Sequence, residues 1–301
     1  MSKKTQPVQT ISQDSPLAKK PLVSINDIKF DGKIVILNPH TVQGGKTFTL
    51  KENDYAIKRF YGIDPQKYNL DSANQDFSAV FSEAEEHPLS EIRNVFNLIA
   101  KQDFKFGLLD FPASSVLDCF AATSKRREQN LASYKEFFPF VESCNILPIF
   151  DLLLATDVQK TVETLDMFHE IIEQIKPKYP VILSLVSLEG AWWGSNEAES
   201  VDVIRNQYFT SGPAYDRIQA MEKSGLFKII YRKQHVNIDN FKVAFKFHSI
   251  ETIEKETTLD AMDRRTATLL RKDAVEAFKP IVDFLASYDF SYTNDTEEID
   301  Y

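Results

Sequence analysis

From about residue 30 to about residue 290 the chain alternates short apolar runs with stretches of helical spacing. Six runs read as strands, over residues 33–37, 67–70, 104–109, 145–149, 181–187 and 227–231. Between them, Leu89, Ile92, Val95, Phe96 and Ile99 share one helical face. Val158, Val162, Leu165, Phe168, Ile172 and Ile175 share another, with Asp157 placed to cap that helix and Pro177 to end it. Leu259, Met262, Leu269, Leu270, Ala274, Ala277, Ile281 and Phe284 mark a long C-terminal helix, expected to kink at Pro280. Strands that are apolar on both faces and alternate with helices predict an α/β fold, a mostly parallel β-sheet with helices on both faces. Ligands of such sheets sit at the carboxyl ends of the strands. Candidate chemistry is therefore sought there.

The 301 residues are enough for a sizeable core, and 43% hydrophobic with 26% charged residues is an ordinary globular balance. The longest apolar runs, such as residues 146–150 and 181–183, are too short to span a bilayer. Residues 1–28 read as a polar tail without the apolar stretch of a signal peptide, residues 29–290 as one domain, and residues 291–301 as an acidic tail. Cys119 and Cys144 are too few for a disulfide framework, which fits a reducing, cytoplasmic setting. A net charge of −9 argues against a protein that coats nucleic acid, so any DNA contact is confined to one face or supplied by a partner.

After the first apolar run the chain reads Asn38-Pro39-His40-Thr41-Val42-Gln43-Gly44-Gly45-Lys46-Thr47. A phosphate-binding loop reads Gly-x-x-x-x-Gly-Lys-Ser/Thr between a strand and a helix, because backbone N–H groups wrap a phosphate, the lysine neutralises it and the hydroxyl ligates Mg²⁺. Gly45, Lys46 and Thr47 fill the last three places; His40 stands where the first glycine belongs. The rival is a hairpin, with a turn through Gln43, Gly44 and Gly45 and a second strand alternating through Thr47-Phe48-Thr49-Leu50. Asn53-Asp54 is a poor helix interior and supports it. Locally the two readings stand level, and whether residues 47–61 are helical separates them.

Two downstream stretches favour the loop. Residues 68–78 form a strand that ends in an acidic turn containing Asp71, Gln75 and Asp76. Residues 104–115 form a strand that ends in Asp110, followed by Phe111-Pro112-Ala113-Ser114-Ser115. An aspartate directly after an apolar strand suits Mg²⁺ held through water opposite a phosphate, though taken alone it is more often a helix or turn cap. In order and spacing, these pieces resemble the ParA/MinD-like deviant Walker A P-loop ATPases over residues 30–235. They are most similar to the ParA-like proteins of conjugative-plasmid transfer operons, which share the Asp–Ala-Ser-Ser element and a later strand leading into a Trp-Gly element, here Trp192-Trp193-Gly194.

The resemblance implies ATP and Mg²⁺ as ligands. It casts Lys46 as the loop lysine, Thr47 as the Mg²⁺-binding hydroxyl, and Gly44 and Gly45 as backbone donors. Asp110 would close the Mg²⁺ sphere, and Asp71 and Gln75 would be the aspartate and glutamine of the switch turn. It further implies a homodimer, plasmid-transfer or partition proteins as partners, and a basic face that engages DNA. That face would draw on Lys228, Arg232, Lys233, Lys242, Lys246, Arg264, Arg265, Arg271 and Lys272; the other reading of those residues is a solvated surface. The chain departs from the pattern at Thr41, where the family has a second lysine, and at Ala73, where it has a water-orienting aspartate. Ser187 and Glu189 stand where the family meets the base, without an Asn-Lys pair. These departures predict slow turnover, or binding without turnover by a degenerate NTPase that serves as an interaction scaffold. The scattered histidines lack metal spacing, and no Gly-x-Ser-x-Gly element marks a serine hydrolase.

Overall fold

The computed structural model describes residues 21–38, 46–71, 77–88, 92–111, 137–154, 158–189, 210–235, 248–255 and 259–290. Seven strands form a single sheet: β1 (Lys33–Asn38), β2 (Gln66–Asn69), β3 (Glu85–Glu86), β4 (Phe106–Asp110), β5 (Ile146–Leu153), β6 (Val181–Glu189) and β7 (Phe227–His235). Their order is β3-β2-β4-β1-β5-β6-β7, and every pairing is parallel. The helices with described bounds are α1 (Lys46–Tyr61), α2 (Ile92–Lys101), α3 (Val158–Ile175), α4 (Pro213–Lys223) and α5 (Ala261–Ser287), and residues 137–143 are also helical. This is the predicted α/β fold, in a P-loop NTPase-like arrangement. The connection leaving β1 runs out past β4 to β2, while the connection leaving β5 runs the other way to β6. The strand order therefore reverses beside β1, where such sheets open a crevice at their carboxyl ends.

Alternation along the strands sorts the core into two faces. Ile34 and Ile36 of β1, Phe106 and Leu108 of β4, Leu147 and Ile149 of β5, Ile182 of β6 and Ile230 of β7 pack with Leu50, Ala56, Ile57 and Phe60 of α1 and with Phe278, Ile281 and Leu285 of α5. The residues between them, among them Val35, Leu37, Leu109, Phe150, Leu183 and Phe227, pack with α2, α3, α4 and residues 137–143 on the other side. Each buried Leu, Ile or Phe contributes about 1.5–3 kcal/mol, so both faces are needed to hold a sheet of this width.

The segment after the double glycine is helical, which removes the hairpin reading. α1 is buried from Phe48 to Ile57 on all sides: Leu50 and Ile57 face the sheet, while Phe48 and Tyr55 meet Ile250, Leu259, Ala267 and Leu270. A helix enclosed in this way need not be amphipathic. Its poor helix formers are satisfied by side-chain bonds: Asn53 Nδ2 donates to Asp151 at 2.9 Å, and Asp54 pairs with Lys58 one turn along α1 at 3.0 Å and with Lys67 of β2 at 3.2 Å.

Other expectations are corrected in detail. Residues 21–28, placed with the tail, pack on the body: the Val23 N–H donates to the Phe60 carbonyl at 3.0 Å, and Ile28 is buried. β3 is an addition at the sheet edge. The long C-terminal helix stands as expected, with Pro280 inside it. Pro148, on an interior strand, is tolerated because β5 acquires β6 as a neighbour only from Ile149 onward. Among the described residues no helix is long and apolar enough to cross a membrane.

Candidate functional site

On the face covered by α1, the strands change from apolar to polar at their carboxyl ends. β1 runs Ile34, Ile36, Asn38; β4 runs Phe106, Leu108, Asp110; β5 runs Leu147, Ile149, Asp151; β6 runs Ile182, Ser184; β7 runs Ile230, Arg232. On β2 both Lys67 and Asn69 are polar. All these polar side chains are buried. The register makes them a row: Asp110 lies opposite Asn38 on one side and Asn69 on the other, and Asp151 lies opposite Ser184.

α1 meets this row by its first turn. Lys46 opens the helix, with only its backbone described, and no acidic residue stands in the first turn to occupy the partial positive charge there. Thr47 Oγ1 donates to Asp110 Oδ2 at 3.3 Å, a carboxylate that is 1% exposed. One strand further out, the Leu70 N–H donates to the Asp110 carbonyl at 2.8 Å and carries the chain to Asp71, which is buried. The structure thus brings Thr47, Asp110 and Asp71 to one end of the sheet, with Lys46 starting the helix beside them. Gly44, Gly45 and Gln75 lie outside the described residues, as do His40, Thr41, Ala73, Asp157, Cys119 and the Trp192-Trp193 pair. Ser187 and Glu189 extend β6 opposite Lys233 and His235, with only their backbones described.

The donor set suits a hard cation. A hydroxyl and a carboxylate are oxygen ligands of the kind Mg²⁺ takes, and Mg²⁺ in phosphate sites keeps several waters and uses few protein ligands. Among the described residues no group of three or more His, Cys, Asp or Glu side chains could hold a metal ion.

Beyond β1 the row closes on itself. Arg232 Nη1 donates to both Asp151 oxygens at 2.9 and 3.0 Å, Nη2 to Asn53 Oδ1 at 2.8 Å, and Nε to the Ala277 carbonyl at 2.8 Å. Ser184 donates to Asp151 at 2.6 Å, and the guanidinium lies 5.5 Å from the Phe278 ring centre. Arg232 was grouped with a basic face; its side chain is instead wholly buried in this network. Arg271 likewise donates to the carbonyls of Ile250 and Glu251, and Lys272 pairs with Glu276 along α5. Glu52, next to Asn53, is also buried: burial pushes its carboxyl well above the usual range, Arg232 acts against this, and Asp273 and Asp151 add to it.

A second cluster, centred on the buried Lys67 and Asp54, ties α1 to β2. Lys67 contacts Asp54, Asp64 and Glu83 at 3.2, 2.7 and 3.0 Å and lies over the Phe81 ring. Burial alone would lower its ammonium; Asp54 and Asp64 outweigh this and hold it above its ordinary value.

Sequence reading missed Asn38 and Asn69 at the strand ends. The available signal was the side-chain alternation: each is the same-face successor of a residue directed at α1. No protein-family model and no curated protein matches the chain.

Proposed function

We propose that the chain is a ParA-like nucleotide-binding protein that takes ATP with Mg²⁺ at the β1–α1 junction and turns it over slowly or under the influence of a partner. One observation carries this reading: the hydroxyl in the first turn of α1 meets the buried carboxylate at the end of the adjacent strand, Thr47 to Asp110. Phosphates would be met by backbone N–H groups and by the positive end of α1, with Lys46 as the neutralising cation. Thr47 and Asp110 would hold Mg²⁺, whose chemistry is to neutralise charge on the phosphate oxygens. Asp71, one strand beyond Asp110, would be the group that meets a terminal phosphate. By the resemblance, the wider role is plasmid conjugative transfer, partition or maintenance in the cytoplasm, through nucleotide-dependent dimerisation and contact with transfer or partition proteins. The absence of a carboxylate at Ala73 favours binding over turnover, and it keeps a scaffold role without hydrolysis as the second reading.

Isothermal titration with ATP and ADP, with and without Mg²⁺, tests the proposal. Lys46→Ala should weaken ATP binding by about 10–100-fold, the worth of a charge-assisted contact. Equal affinity for wild type and variant would remove the phosphate-loop role. Tight binding with no phosphate release, alone or with DNA, would select the scaffold.

A further inference from the structure

Asn69, the last residue of β2, has a side chain that bonds to both described ends of the stretch that follows. Its Oδ1 accepts from the Asp71 N–H at 2.9 Å, and its Nδ2 donates to Ser78 Oγ at 2.7 Å. Asn69 is 2% exposed and lies opposite Asp110 in the β2–β4 register. The first bond is the local turn that asparagine side chains favour at chain reversals. The second bond spans nine positions and is not local.

The return of the chain is fixed as well. Phe77 and Phe81 are buried against each other, with ring centres 4.9 Å apart, and Glu83 reaches Lys67 two residues before Asn69. β2 supplies both anchors from the side facing α1. A bond across nine positions from a buried side chain is more than a local turn requires.

We propose that Asn69 is a positioning residue: a clasp that joins Asp71 to Ser78 and sets the Asp71 carboxylate at the sheet end beyond Asp110. The role rests on the nucleotide reading above and deepens it. β2 lies two strands from β1, about 10 Å at ordinary strand spacing. On the nucleotide reading, a group held there would meet a terminal phosphate that extends from the β1–α1 junction past Asp110. The clasp therefore concerns the third phosphate of a triphosphate and leaves a diphosphate indifferent.

The test compares ATP·Mg and ADP·Mg dissociation constants for the full chain, Ser78→Ala, Ser78→Thr and Asn69→Ala. Ser78→Ala removes one hydroxyl from a half-buried turn position and leaves β2 unaltered, so it decides the matter even where Asn69→Ala does not fold. Ser78→Ala should lose about fivefold for ATP, the effect of one net hydrogen bond, and under about twofold for ADP. Ser78→Thr should restore the wild-type ratio, and Asn69→Ala should lose more than Ser78→Ala. Equal losses for the two nucleotides, or no loss in Ser78→Ala, would overturn the clasp while leaving the phosphate loop standing. Wild-type protein that binds neither nucleotide would instead remove the nucleotide reading, and the clasp's role with it.

Discussion

Two hydroxyl–carboxylate pairs occupy the same polar layer under α1, on either side of β1. Ser184 approaches Asp151 to 2.6 Å, whereas Thr47 stands 3.3 Å from Asp110. The first is as short as charge-assisted O–H···O bonds become; the second is longer than an ordinary one. Arg232 accounts for the difference on the first side, since it clamps both oxygens of Asp151 and holds Asn53 of α1 in the same plane. That side is complete within the protein. The Thr47 side joins the start of a helix to the end of a strand by a loose contact, and a cation of suitable size could draw both oxygens onto itself. One layer is thus clamped on one side of β1 and loosely joined on the other, where the proposed cation would bind.

The largest expected effect comes from breaking the framework. Arg232→Ala strands the Asp151 carboxylate and the Asn53 carbonyl in a dry interior, and removal of one member of a buried ion pair costs about 3–5 kcal/mol. Urea unfolding should show this loss, and the loosened α1 should bind ATP more weakly as a consequence. Arg232→Lys should recover only part of it, because an ammonium cannot reproduce the fork that reaches Asp151, Asn53 and the Ala277 carbonyl together. Unfolding free energies within about 1 kcal/mol of wild type for Arg232→Ala would show that the network is not a framework.

Glu52→Gln probes the same region with the opposite sign. The folded chain retains on Glu52 a proton that the unfolded chain releases above the ordinary carboxylate range, because burial raises that carboxyl. The stability this group contributes is whole below that range and falls as pH climbs toward the raised value. Glutamine does not titrate. The variant should therefore match wild type at low pH and gain on it by up to about 1.4 kcal/mol per pH unit above the range. Parallel stability–pH curves for the two proteins would place a charged Glu52 in the fold.

The polar layer also explains what could be read from the sequence. Apolar runs located six of the seven strands, but several were expected to stop short. β5 continues past 149 to Leu153 because Asp151 is buried and paired, and β7 continues past 231 to His235 with Arg232 inside. A charged residue in a linear pattern reads as a strand end or a surface; only the fold brings Arg232 and Asp151 together across 81 positions. α1 was ambiguous for a related reason, since a helix enclosed on every side shows no polar stripe. β3 offers just Glu85 and Glu86, whose place is set by neighbours such as Gln66 and Gln102, which both donate to Glu85. For the candidate site, Asp71 and Asp110 were legible because each directly follows a strand run, and Lys46 and Thr47 because they close a Gly-Gly-Lys-Thr sequence after the first run. Asn38 and Asn69 became visible only when the strands were set in register.

Thr47→Val should disturb the fold least and sharpen the comparison most. Valine keeps the branched shape of threonine, and Thr47 is only half-buried, so loss of a contact at 3.3 Å should change unfolding stability by less than about 1 kcal/mol. Ligand binding should respond differently. Without the hydroxyl, Mg²⁺ should strengthen ATP binding about tenfold less than in wild type, while affinity in the absence of Mg²⁺ should stay where it was. Thr47→Ser retains the oxygen and should retain the Mg²⁺ effect. The corresponding change across β1, Ser184→Ala, should show the reverse pattern: stability falls by about 1–3 kcal/mol because Asp151 loses a buried donor, and the Mg²⁺ effect is untouched. If both substitutions cost stability alone, the two halves of the layer are framework alike, and Thr47 and Asp110 do not form a cation site.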